Sequence, residues 1–158
     1  MGESSSSVPS NVKYFDVHSG SDTEIYSCDN TLVMFKDGNQ VFSQELKYDP
    51  NGCAISPCGT VLAVGAKEAP KLYLYDIEGS SFVQRQEIAL TAATTEIKFS
   101  PDGKLLGAAT VGRTVLLLDV EKSYKPVQHC WSTQSKTMSC SFSPDSRFMC
   151  VAGVDTNI

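Results

Sequence analysis

Ile97-Lys-Phe-Ser-Pro-Asp-Gly-Lys-Leu-Leu-Gly-Ala-Ala-Thr110 decides how this chain is read, because close copies of it occur on either side. One copy is Cys53-Ala-Ile-Ser-Pro-Cys-Gly-Thr-Val-Leu-Ala-Val-Gly-Ala66, and another is Cys140-Ser-Phe-Ser-Pro-Asp-Ser-Arg-Phe-Met-Cys-Val-Ala-Gly153. The serines of the three Ser-Pro pairs fall at 56, 100 and 143, steps of 44 and 43 residues. Each copy has the same physical plan. An apolar residue (Ile55, Phe99 or Phe142) ends a strand. Pro then presets the turn and cannot donate in a central ladder, so the strand stops. A run of small and apolar residues follows, Val61 to Gly65, Leu105 to Ala109 and Phe148 to Ala152. Such small side chains suggest close approach near a crowded centre. A longer apolar strand comes next, Leu72 to Ile77 and Val115 to Val120, with an Asp at 76 and 119. Unbroken apolar runs of this length fit strands buried on both faces.

A period of ~40–45 residues is that of a four-stranded propeller blade. A fainter copy precedes the three clear ones. Glu24 to Asp29, Thr31 to Asp37 and Val41 to Leu46 read as strands, with Val12 to Val17 before them and a turn at Asp37-Gly38-Asn39. No stretch has the periodicity of an amphipathic helix. The expected fold is all-β: about fourteen strands in three and a half four-stranded antiparallel blades. The blades are placed at 12–46, 52–90 and 94–131, with a half blade at 137–158, after a disordered Ser-rich tail at 1–11. The template breaks off at Asp155 to Ile158, where a third strand would begin. Repeat units need neighbours to bury their faces, so the segment is expected to be an incomplete propeller with open sheet edges prone to self-association.

The bulk numbers agree with a folded, non-basic protein. The 158 residues are 41% hydrophobic and 20% charged, with a net charge of −5. Phosphate-backbone binding needs clustered Lys and Arg, which this chain lacks. No apolar run approaches the ~18 residues of a membrane span. The polar N-terminus has neither the basic start nor the apolar core of a signal peptide. The six cysteines are therefore expected as reduced thiols in the cytoplasm, with Cys53, Cys140 and Cys150 acting as small buried apolar residues. Metal-ligand spacing is missing, and so are Gly-rich phosphate loops, so no metal or cofactor is expected.

Catalytic sets are equally sparse. Asp16-Val-His-Ser-Gly20 places Asp, His and Ser side by side, but a triad is a constellation in space, and neighbours in one loop rarely achieve it. His129 and Cys130 would point to opposite faces of a strand. Asp76, Asp102, Asp119 and Asp145 recur at repeat positions and read as turn architecture. Trp131 reads as packing on an outer strand. The chain is expected not to be an enzyme.

The repeat resembles the WD-repeat family in degenerate form. Tyr75-Asp76 and Leu118-Asp119 stand where the family has Trp-Asp, and only Asp155 sits at the family's hydrogen-bonded turn Asp. The Gly-His that usually opens a blade is absent. Within the family, Asn30-Thr-Leu-Val-Met-Phe-Lys-Asp37, Cys53 to Gly65, Leu72 to Tyr75, Lys98-Phe99-Ser100 and Phe142 to Ile158 resemble the late part of the second propeller of actin-interacting protein 1, the cofactor of cofilin. The resemblance implies protein partners, actin filaments and cofilin among them, in the cytoplasm and cytoskeleton. The alternative is a scaffold subunit of another complex, such as a chromatin-modifying or RNA-processing assembly. Propellers bind through loops, since their strands are used in packing. The loops joining the second and third strands of a blade are the candidates, with Lys67, Glu68 and Lys71 in one and Arg113 in the next.

Overall fold

A computed structural model describes residues 9–131 and 136–154, with residues 128–131 described by backbone alone. The tail expected at 1–11 thus lies mostly outside the described residues, as do Asp155 and the side chains of His129, Cys130 and Trp131. Fourteen strands are seen among the described residues, and no α-helix. They are β1 (Val12–His18), β2 (Thr23–Cys28), β3 (Thr31–Lys36), β4 (Asn39–Glu45), β5 (Pro50–Ile55), β6 (Val61–Ala66), β7 (Lys71–Glu78), β8 (Ser81–Ala89), β9 (Thr94–Phe99), β10 (Leu105–Thr110), β11 (Thr114–Asp119), β12 (Lys125–Trp131), β13 (Thr137–Phe142) and β14 (Met149–Gly153).

The strands form three four-stranded sheets in simple chain order, β1 to β4, β5 to β8 and β9 to β12, and a two-stranded pair, β13 and β14. Every pairing is antiparallel. The first strands β1, β5, β9 and β13 lie next to one another, so the sheets fan out from a common line. This is a partial β-propeller, not closed into a ring.

Local chemistry explains the repeated entry turn. Ser100 donates its hydroxyl to Asp102 at 2.6 Å and accepts the Leu105 amide at 2.9 Å, while Asp102 also accepts the Lys104 amide at 3.0 Å. Ser143 and Asp145 repeat this arrangement, at 2.5 Å from hydroxyl to carboxylate, with the Phe148 amide 3.0 Å from the serine oxygen. These bonds hold both carboxyls below the usual range, the serine hydroxyl being the leading cause in each. A carboxyl with a lowered folded pKa supports the fold above its unfolded pKa of about 4 and withdraws that support as pH falls through the lower folded value. Acid titration followed by circular dichroism should therefore show stability falling below about pH 4. Asp102→Asn with Asp145→Asn should flatten that fall.

The seams between sheets hold the core. Ile25, Leu32 and Met34 of the first sheet meet Leu62, Val64 and Tyr75 of the second. Leu72, Leu74 and Ala63 of the second meet Leu106, Ala108 and Leu116 of the third. Ala109, Val115 and Cys140 form the last seam. The small residues after each Ser-Pro turn thus lie on second strands, between sheets, and the crowding they relieve is at the seam rather than at the centre. Gly65, on β6, faces Thr94 and the Asn51 carbonyl in this way. Polar links cross the seams as well. Asp16 accepts the Ile55 amide at 2.7 Å, Glu96 accepts the Cys140 amide at 2.8 Å, and Thr94 donates to the Asn51 carbonyl at 2.8 Å.

Cys53 and Cys140 are buried as expected, but Cys150 is exposed. Its β14 neighbours Met149 and Val151 pack towards the third sheet, so alternation turns Cys150 the other way. Phe15 on the outward face of the first sheet and Phe148 beside β14 remain 64% and 66% exposed.

Candidate partner-binding site

In an antiparallel four-stranded sheet, the loops between second and third strands share one end with the linkers between sheets. Backbone bonds tie them together here. Lys67 donates to Asp49 at 2.9 Å, Leu90 to Pro70 at 2.7 Å and Val111 to Ala93 at 2.9 Å. All four sequence-predicted contact residues lie at this end. Lys67 and Glu68 are exposed in the β6–β7 loop. Arg113 is exposed just before β11, at a left-handed φ of 69°. Lys71 opens β7, and its ammonium sits 2.5 Å from the Glu87 carboxylate, which raises the lysine's pKa. The residues thus lie in or beside loops of neighbouring sheets and share one rim.

Beside Lys71 the structure opens a groove that the sequence reading missed. It has a volume of about 380 Å³ and lies between the first and second sheets, lined by Glu45, Tyr48, Tyr73, Tyr75 and Glu87 among others. Tyr73 and Tyr75 alternate on β7 and so share a face. Tyr48, in the linker before β5, stacks on Tyr73 with ring centroids 4.0 Å apart and planes 12° apart. The Tyr48 and Tyr75 hydroxyls are 2.9 Å apart. Burial is the leading cause that pushes both phenols above their ordinary pKa, so they stay protonated. The available signal was the period-two Tyr73-x-Tyr75 spacing, read from sequence only as a buried apolar strand.

The opposite end carries the Ser-Pro turns. His18 ties one of them to the β1–β2 turn of the first sheet: Nε2 donates to the Pro57 carbonyl at 2.7 Å, and Nδ1 accepts from Ser21 at 2.8 Å. Asp16 is turned away from His18 and takes the amides of Val17 and Ile55. The structure therefore pairs the histidine with Ser21, not Ser19, and gives it no carboxylate from Asp16. In the second sheet, Cys58 occupies the place of Asp102 and Asp145, with Sγ 3.3 Å from the Ser56 hydroxyl and 2.9 Å from that of Thr60. These contacts, Ser56 first, lower its pKa. Burial pushes Cys53 and Cys140 up to about 12. Iodoacetamide at neutral pH should label Cys58 on the order of a hundredfold faster than Cys53 or Cys140. Mass spectrometry of timed quenches reads this, and equal rates would mean that the seams open freely.

No protein-family model matches the chain. Actin-interacting protein 1 of Drosophila melanogaster is 30% identical over 134 residues, 84% of this chain and 22% of that protein. WD repeat-containing protein 1-B of Xenopus laevis is 28% identical over 130 residues, 81% of this chain and 21% of that protein. These are WD repeats. Actin-interacting protein 1-2 of Arabidopsis thaliana, 23% identical over 136 residues, covers 85% of the chain and has 22% of its own length matched. The WD-repeat chain thus spans about a fifth of the length of these curated relatives. Among solved structures, Kuenenia stuttgartiensis hydrazine synthase superposes with a TM-score of 0.78 at 17% identity, over 96% of this chain and 45% of that one. That likeness concerns the fold alone. In this degenerate WD repeat the Asp of Tyr75-Asp76 accepts Arg85 at 3.2 Å, and that of Leu118-Asp119 accepts the Lys122 amide at 3.2 Å.

Proposed function

We propose that this WD-repeat segment is a non-catalytic protein-binding surface of the cytoplasmic actin cytoskeleton, which assists cofilin in disassembling filaments. The observation that carries the reading is the match of most of the chain to actin-interacting proteins of an insect and a plant. The mechanism is binding. The rim that carries Lys67, Glu68, Lys71 and Arg113 supplies exposed loops on a rigid stack of sheets, the arrangement in which loops serve recognition. The exposed Phe15 and Phe148 give the outer sheets apolar faces through which copies of the segment self-associate at high concentration.

Co-sedimentation of the purified chain with actin filaments, with and without cofilin, tests this after light scattering has established a non-aggregated state. Cofilin-dependent pelleting is the expected result. Lys67→Glu with Arg113→Glu should weaken it by about tenfold or more with unchanged circular dichroism, since reversed rim charges repel what the native ones attract. A folded chain that stays in the supernatant would favour the scaffold role in another complex. Pelleting indifferent to both substitutions would move the contact away from this rim.

A further inference from the structure

We infer that the groove between the first and second sheets receives an arginine side chain from an extended segment of a protein partner. The inference rests on reading the chain as a binding surface, but not on that partner being an actin filament.

The chemistry of the lining selects the ligand. Two stacked tyrosines present aromatic surface at a site of about 380 Å³, enough for one or two side chains and too small for a folded element. A cation over such rings is attracted by their quadrupole. Carboxylates flank the rings, Glu45 from the end of β4 and Glu87 from β8, with the ammonium of Lys47 in the lining and that of Lys71 on the Glu87 carboxylate. An acidic ligand would meet these carboxylates, whereas a basic one completes them. The net charge of −5 favours the approach of a basic segment. Both charged partners of the site are already braced. Asn30 donates to Glu45 at 3.1 Å, and Lys71 holds Glu87 at 2.5 Å.

Geometry distinguishes arginine from lysine. A guanidinium lies flat on an aromatic ring and still offers its edge to a carboxylate, while an ammonium does one or the other. The Lys71–Glu87 pair is more than two-fifths exposed on each side, so its exchange for an incoming guanidinium loses little. The site then gains a two-pronged contact where a point charge stood. Lys71, released, remains at the rim beside Lys67 and Glu68, where the proposed partner passes.

The test uses the full chain, labelled with nitrogen-15, and four capped pentapeptides Gly-Ser-X-Ser-Gly in which X is arginine, lysine, glutamine or glutamate. The arginine peptide should give saturable shifts at the amides of Tyr48, Tyr73 and Glu87. The lysine peptide should bind more weakly, and the glutamine and glutamate peptides should give no saturable shift at these amides. Tyr48→Leu should weaken arginine binding about two- to fivefold. Glu87→Lys, on an exposed strand position, should weaken it at least tenfold with the rest of the spectrum unchanged. Absence of a saturable shift with the arginine peptide overturns the inference. So does equal binding of the glutamine peptide, or arginine binding indifferent to Glu87→Lys. Filament pelleting is scored separately without peptide. Pelleting without arginine-peptide binding removes this groove and leaves the actin reading in place. Peptide binding without pelleting does the reverse.

Discussion

Gly65→Ala should destabilise the fold by about 3 kcal/mol, because a single methyl has no room at the seam between the second and third sheets. A Cβ at this position would lie 1.9 Å from the Thr94 hydroxyl, 2.7 Å from the Asn51 carbonyl oxygen and 2.8 Å from the Thr94 Cβ. Two of these obstacles cannot swing aside. The Asn51 carbonyl is backbone, and Thr94 is fully buried, with its hydroxyl donated to that carbonyl at 2.8 Å. The Asn51 amide group in turn donates to the Thr94 carbonyl. Insertion of a methyl must therefore push β6 away from β9 or break this reciprocal pair. The register of β5 on β6 slips between Pro50 and Cys53, in the segment that brings the Asn51 carbonyl to the seam. Urea unfolding followed by circular dichroism measures the loss. Thr94→Ala alone should cost about 1 kcal/mol for its hydrogen bond. In the double variant the nearest obstacle is gone and the two backbone-linked ones remain, so the combined loss should fall below the sum of the single losses by about 1 kcal/mol. A Gly65→Ala chain within about 0.5 kcal/mol of the parent would mean that the sheets stand farther apart than the seam described here.

Gly65 also shows what the sequence could and could not tell. Its place in a run of small residues after Ser-Pro is visible in all three copies, and it led to the correct inference of close approach. The object approached was invisible, since Thr94 and Asn51 come from segments whose meeting depends on how successive sheets stack. The same division runs through the rest of the molecule. The spacing of Ser56, Ser100 and Ser143 announces the repeat, because each serine closes the same local turn within five residues of itself. The first sheet has no Ser-Pro turn, yet Asp37-Gly38 marks its last hairpin, and both residues adopt the positive φ such a two-residue turn demands. Contacts that join different repeats leave no comparable trace. His18 reaches Pro57 and Asp16 reaches Ile55, each across 39 residues. Tyr48 meets Tyr73 through a linker that carries no repeat signature. The candidate loops were legible because loop position follows from strand order. The groove beside them was not, because it is made by two sheets at once.

Tyr75→Ala should cost about 3–5 kcal/mol, among the largest losses available to a single truncation in this chain. Tyr75 stands where WD repeats carry their namesake Trp, and it is 1% exposed. Its ring packs in the seam with Ile25, Leu32 and Met34 of the first sheet and meets Phe82 edge-on, with centroids 6.4 Å apart. Its hydroxyl adds the bond to Tyr48. Two contributions are thus combined in one side chain, and two variants separate them. Tyr75→Phe keeps the ring and removes the hydroxyl, so it should cost only about 1 kcal/mol, with the half-buried Tyr48 phenol losing its partner. Tyr75→Ala removes both and leaves a cavity that neighbouring strands, fixed by their ladders, cannot fill. Leu118 holds the same repeat position in the third sheet with no polar atom at all, fully buried against the second sheet. Leu118→Ala should fall in the ~2–5 kcal/mol range of buried aliphatic truncation. If Tyr75→Phe proved as costly as Tyr75→Ala, the hydroxyl pair rather than the packed ring would hold the first two sheets together. The expected order, alanine far worse than phenylalanine, follows from a seam in which a degenerate WD repeat has replaced a polar network by packing.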